Sequence, residues 1–136
     1  SNKLKKNLKP ILEVKAKIIQ IKKIKKNEYI GYNQTYTSKK NIIVAILGVG
    51  YADGIPRSLS NKGVMYYKKE KLNIIGRISM DSTTIDVTKC KVNLKAGMYI
   101  DIINYRYDIE NFAKQCKTIS NEFLTSIGNR VKRIYV

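Results

Sequence analysis

The sequence predicts a mainly β protein, an antiparallel β-barrel or sandwich-like domain with one or two short helices near the C-terminus. Three observations point there. Apolar residues recur either at alternate positions or in short runs of four to seven, cut off by Gly, Asn or Lys clusters. Helical spacing is confined to the last third of the chain. Finally, 136 residues that are 43% hydrophobic suffice for one core or one modest domain.

The first element is a long, bent strand from Ile11 to Ile24, where Val14, Ala16 and Ile18 share one parity and lysines occupy the wet face. Lys25 to Glu28 form a turn. Ile42 to Leu47 is an unbroken apolar run short enough for a buried strand, stopped by Gly48-Val49-Gly50. Val64 to Tyr67 and Leu72 to Ile78 flank the charged Lys68 to Lys71 and suggest a hairpin. Thr84 to Val87 and Met98 to Ile103 supply two further strands. A helix begins near the N-cap Asp108, with Glu110 in its first turn and Ile109, Phe112, Ala113 and Cys116 on one face. A shorter helical turn follows Ser120, burying Phe123, Leu124 and Ile127 and stopping at Gly128; the last strand is Arg130 to Val136. No internal repeat is present.

Composition excludes several kinds of function. With no histidine at all, the chain can supply no Ser-His-Asp or Cys-His relay and no HExxH metal site. Acid–base chemistry falls to Tyr, Lys, Cys or carboxylates. Cys90 and Cys116 are too few and too far apart in sequence for a zinc cluster or a disulfide scaffold, fit a reducing compartment, and read as spectators. No apolar run approaches the ~20 residues of a membrane span, so a soluble, cytoplasmic protein is expected. The net charge of +17 attracts polyanions in general, but it is nearly all lysine spread from Lys3 to Lys132. Lys, Ile and Asn share A/T-rich codons, so genome composition accounts for the excess without a specific nucleic-acid partner. Ser1-Asn2, without an initiating Met, reads as a cloning scar or cut site.

Two motifs carry the chemistry. Gly48-Val49-Gly50-Tyr51-Ala52-Asp53-Gly54 follows a strand, but its glycines fit GxGxxxG, and Pro56 soon after leaves no amphipathic helix to receive a pyrophosphate. A dinucleotide site is therefore rejected, leaving on chemistry alone a glycine-rich connection between strands. Read together, however, Gly31-Tyr32-Asn33-Gln34-Thr35-Tyr36, Gly50 to Gly54 with Arg57 (GYADGxxR) and Gly76 to Asp81 (GRxSMD) resemble, in that order, the C-terminal β domain of bacterial alanine racemase. Arg130 to Tyr135 is similar to the family's RVxRxY ending, so the resemblance covers residues 9–136. Residues 1–8 then read as a linker from a missing barrel domain.

The resemblance implies a homodimeric enzyme in which this domain caps the α/β barrel of a second subunit while joined to a barrel of its own. That barrel holds pyridoxal 5'-phosphate (PLP) on a lysine, so no cofactor is expected on this chain alone. It also implies interconversion of L- and D-alanine for peptidoglycan synthesis. Tyr32 matches the tyrosine that removes or returns the α-proton on one face of the substrate. Met80 matches a position whose backbone N–H contacts the substrate carboxylate. Arg57, Arg77 and Ile119 match the lining of the entrance, and Tyr51 an active-site tyrosine near the cofactor. Asp81, beside Met80, is expected to order that loop through hydrogen bonds to nearby N–H groups, in a role either structural or functional. Set against these roles, Tyr32 and Tyr51 are two of ten tyrosines, and a packed or rim ring is the plain alternative for either.

One departure from the family pattern is informative. Where a tyrosine usually hydrogen-bonds the cofactor phosphate, this chain has Asn121. The shorter side chain implies PLP held more weakly by about one hydrogen bond, ~0.5–1.5 kcal/mol, and a wider entrance that admits serine. Asn33 replaces a common glycine, a milder change because Asn tolerates tight turns. Two other readings stay open: a related PLP racemase of broader specificity or a decarboxylase, and a basic β-barrel that binds single-stranded nucleic acid through Tyr51, Tyr66, Tyr67 and Tyr105.

Overall fold

The structure is a computed structural model that describes residues 13–30, 36–104, 106–107 and 109–116. Eight strands are assigned among them: β1 Val14–Ile24, β2 Tyr29–Ile30, β3 Tyr36–Thr37, β4 Ile42–Leu47, β5 Val64–Tyr67, β6 Glu70–Asn73, β7 Thr83–Asp86 and β8 Tyr99–Ile103. One helix, α1, spans Ile109–Cys116. Six strands form one antiparallel sheet in the order β6-β5-β8-β1-β4-β7, and β2 pairs with β3. The sheet curls until its two edges meet: Ile74, just past β6, bridges Ile85 of β7, and Ile75 N–H donates to Thr84 O at 3.0 Å. Closure of this kind removes the unpaired edges that an open sheet exposes.

β1 makes the closure possible by serving two partners. Val14 to Lys17 pair with β8 and Gln20 to Ile24 pair with β4, with an irregularity between Ile18 and Gln20 where the strand bends. The bend explains why the alternation is loose. Ala16 and Ile18 face inward on one parity, whereas Ile24 reaches the interior on the same parity only after Gln20 and Lys22 have turned outward. The main core contains Ile18, Leu47, Met65, Ile85, Ile100 and Ile102, all essentially without solvent contact. Each such side chain contributes roughly 1.5–3 kcal/mol by leaving water. Phe112 and Cys116 of α1 close that core, and the α1 side chains expected inward at 112, 113 and 116 are buried. A smaller cluster of Ile24, Ile30, Ile42, Val44 and Ile75 underlies the β2–β3 pair.

The hairpin expected around Lys68 to Lys71 is present but tighter. Tyr67 pairs with Glu70, so only Lys68 and Lys69 turn, with Lys68 at φ 53°, and Glu70 and Lys71 already belong to β6. The strand expected to run to Ile78 ends at Asn73, because Gly76 at φ 75° reverses the chain into the next loop. Two short 3-10 turns, Tyr51–Asp53 and Arg57–Leu59, occupy the connection read from sequence as irregular. The Asp108 cap, the Ile109 side chain, the helical turn after Ser120 and the strand from Arg130 lie outside the described residues, as do Tyr32, Asn33, Ile119 and Asn121.

Candidate functional site

Both chemistry-bearing motifs lie on connections at the barrel rim, one after β4 and one before β7. The structure bonds them into a single unit. Tyr51 N–H donates to Ser79 O and Ala52 N–H to Met80 O, each at 3.0 Å. Such contact demands a glycine at position 50: a Cβ there would lie 2.3 Å from Ser79 O and 2.5 Å from Met80 O. The φ of Gly50 is −146°, so close approach and not backbone freedom fixes the residue.

The 49–54 segment is held from within. Asp53 is buried, and its Oδ2 accepts the Gly50 N–H at 3.0 Å. Asp53 N–H in turn donates to Gly50 O at 3.0 Å, and Gly54 at φ 104° ends the turn. The hydroxyl of Thr83, also buried, donates to Val49 O at 2.7 Å and ties the segment to β7. On the facing loop, Ser79 N–H donates to Ser82 O and Ser82 N–H to Ser79 Oγ, both at 3.0 Å. Ile78 N–H reaches Ser60 Oγ at 2.9 Å, and Gly76 N–H reaches Asn61 Oδ1 at 2.6 Å.

This bonding fixes a direction. A trans peptide is planar, with its N–H opposite its C=O. Because Ser79 O points at Tyr51 N–H, the Met80 N–H of the same peptide points away from the 49–54 segment; because Met80 O points at Ala52 N–H, the Asp81 N–H does likewise. A backbone N–H turned outward in this way is a donor suited to an anionic group.

Five residues singled out in the sequence converge here. Tyr51, Arg57, Arg77, Met80 and Asp81, with Ile78 and Ser79, line one open depression of about 370 Å³. Met80 is 50% exposed and Tyr51 41% exposed, large apolar surfaces left at a rim. The Arg57 guanidinium lies 4.7 Å from the centroid of the Tyr51 ring, within the range where a cation is drawn to an aromatic face. Two guanidiniums against one carboxylate give the depression a positive character that draws small carboxylates. Sequence reasoning named Asp81 as organiser of the Met80 loop and missed Ser79 and Ser82, which close it, and Asp53 and Thr83, which hold its partner. A signal existed for Asp53, an acidic residue three positions after a glycine at the start of a turn.

Among the described residues, no cluster of three His, Cys, Asp or Glu side chains is placed to hold a metal, and no helix is long and apolar enough to cross a membrane. Cys90 and Cys116 are free thiols. Of the tyrosines proposed as stacking platforms, Tyr66 already stacks on Tyr107 at 3.6 Å, so one of its faces is taken, and Tyr67 packs partly against the core.

Residues 11–135 match the family model described as "Alanine racemase, C-terminal domain". The chain is 42% identical to the alanine racemase of Brucella ovis over 100% of its own length and 35% of that protein's. It is 40% identical to the alanine racemase of Acidiphilium cryptum, with 93% of this chain and 35% of that one covered. The solved structure of alanine racemase from Bartonella henselae with covalently bound pyridoxal phosphate superposes with a TM-score of 0.88 at 37% identity, covering 91% of this chain and 34% of that one. The chain thus spans about a third of the length of the relatives it matches. A closed antiparallel barrel, two rim motifs locked together and a match over nearly every residue lead to one conclusion: this chain belongs to the alanine racemase C-terminal domain family.

Proposed function

We propose that this chain is the substrate-facing cap of a PLP-dependent alanine racemase. It completes the active site of a second subunit's barrel while joined to a barrel of its own, and the enzyme supplies D-alanine for peptidoglycan. The observation that carries the reading is the bond from Tyr51 N–H to Ser79 O, which turns the Met80 N–H of the same peptide away from the 49–54 segment, beside two arginines that favour a carboxylate. The residues around the depression fit one side of a PLP site. Their amides and guanidiniums suit anionic groups, but no lysine is among the described residues that line it, so the covalent hold on PLP falls to the barrel.

PLP, when bound, draws electrons from the substrate Cα and makes its proton removable. The chain's own part is placement and proton traffic. The Met80 N–H holds the substrate carboxylate, and Arg57 and Arg77 steer it inward. The Tyr32 hydroxyl takes or returns the α-proton on one face, while a barrel lysine serves the other. A free phenol titrates near pH ~10, so Tyr32 needs a neighbouring cation, and in this reading the partner's barrel supplies it. Ile30 and Tyr36, the described residues flanking that segment, are register partners in the β2–β3 pair.

In the full-length enzyme, Tyr32→Phe should slow α-proton exchange of L-alanine in D₂O by ~10²–10⁴-fold while sparing D-alanine far more. Equal losses in both directions would remove Tyr32 from the role of one-sided base. Asn121→Tyr should tighten PLP by the roughly 0.5–1.5 kcal/mol of one hydrogen bond; unchanged or weaker affinity contradicts the reading of Asn121. The chain alone should neither racemise alanine nor take up PLP stoichiometrically, and saturable uptake would overturn the division of labour.

A further inference from the structure

We propose that Asp53 is a positioning residue for the substrate carboxylate, acting through three links of backbone geometry; the proposal rests on the racemase reading above. Asp53 is 7% exposed in a chain whose other acidic residues, where described, are more open to water, and burying a carboxylate needs a return in hydrogen bonding. Its Oδ2 takes the Gly50 N–H at 3.0 Å and closes the 50–53 turn. That turn presents the next two amides, Tyr51 N–H and Ala52 N–H, in parallel to the Ser79 and Met80 carbonyls. Peptide planarity then sets the direction of the Met80 N–H on the far side of the loop. Asp53 is not among the residues that line the depression, so the role proposed for it runs through backbone geometry.

The alternative is that Asp53 only stabilises the rim. The two roles separate kinetically. A misdirected Met80 N–H weakens a contact made in both ground and transition states, which raises KM with little change in kcat. A purely structural loss lowers the amount of folded enzyme, and so apparent kcat, at constant KM. In the full-length enzyme, Asp53→Ala should raise KM for L-alanine and for D-alanine alike, by about tenfold, the scale of a hydrogen bond to a charged group. Asp53→Asn, which keeps an oxygen able to accept the Gly50 N–H, should recover most of that loss. Asp53→Ser, too short to reach, serves in place of the alanine variant if that one does not fold.

Hydrogen–deuterium exchange of the same enzymes gives a readout independent of turnover. Exchange of the Tyr51 and Ala52 amides should quicken in Asp53→Ala and return toward wild type in Asp53→Asn. Faster exchange at unchanged KM would establish the bonding and overturn the positioning role. Unchanged exchange would overturn the first link. If the wild-type enzyme does not racemise alanine, the functional reading fails and the positioning role falls with it, while the exchange result still judges the Asp53 to Gly50 bond by itself.

Discussion

Replacing Gly50 by alanine adds a single carbon, and the structure locates what that carbon meets. It would sit 2.3 Å from Ser79 O, 2.5 Å from Met80 O and 2.6 Å from Met80 C, all backbone atoms that no side-chain rotation can clear. Ordinary contact requires these loops to part by about 1 Å, which carries Tyr51 N–H and Ala52 N–H out of reach of their acceptors. Overpacking costs ~1–3 kcal/mol, and each lost hydrogen bond roughly 0.5–1.5 kcal/mol. The variant should therefore be destabilised by about 2–6 kcal/mol. In a urea titration followed by far-UV circular dichroism, that is a fall in midpoint of about 1–3 M. Gly97→Ala is the control, because nothing lies within 4 Å of a Cβ there and only its φ of +94° opposes a side chain. It should cost about 1–2 kcal/mol. A loss below about 0.5 kcal/mol for Gly50→Ala, or one no larger than for Gly97→Ala, would refute the claim that close approach between the loops fixes Gly50.

Alkaline conditions should unfold the chain partly through Cys116, whose thiol is pushed by burial from the ordinary 9.0 up to about 11. The folded state then keeps a proton that the unfolded chain releases, so stability is full below pH 9 and declines as pH rises toward about 11. Tyr66, raised by burial and by Tyr107, and Lys15, raised by its hydrogen bond to Asp101, act in the same direction. Urea midpoints across that window should fall, and less so in Cys116→Ala; an equal fall in both would remove Cys116 from the cause. Oligonucleotide binding driven by lysine charge should weaken with salt and be indifferent to Tyr66→Ala and Tyr51→Ala. Loss of binding in those variants at fixed salt would revive the nucleic-acid reading.

The fold was legible wherever burial follows local pattern. Ile42 to Leu47 is a strand paired on both edges, by β1 and β7, and Ile42, Val44, Ala45 and Leu47 are buried as the apolar run predicts, while Ile43 faces out. Phe112, Ala113 and Cys116 are buried together as helical spacing requires. The end of β6 was misread because Leu72, Ile74, Ile75 and Ile78 read as apolar strand positions, yet Ile74 and Ile75 serve barrel closure and Ile78 serves the rim loop. Apolar character reports burial but not which surface does the burying. At the candidate site, Tyr51, Arg57, Arg77, Met80 and Asp81 were found because the motifs name them. Thr83 was missed because its partner, Val49, lies across a tertiary contact that no local spacing encodes. Asp53, Ser79 and Ser82 bond three residues away within their own turns and received no role because the motif reading assigned roles only to residues facing the site.

The central claim is that this domain serves another subunit's barrel, and mixed dimers of the full-length enzyme test it most directly. One parent carries Tyr32→Phe; the other lacks the barrel lysine that holds PLP. Each alone is inactive or nearly so. Random pairing makes half the dimers mixed, each with one site built from an intact barrel and an intact cap, so activity should recover to roughly a quarter of wild type. Mixed dimers no more active than their parents would mean that cap and barrel of the same chain share a site, contradicting the account.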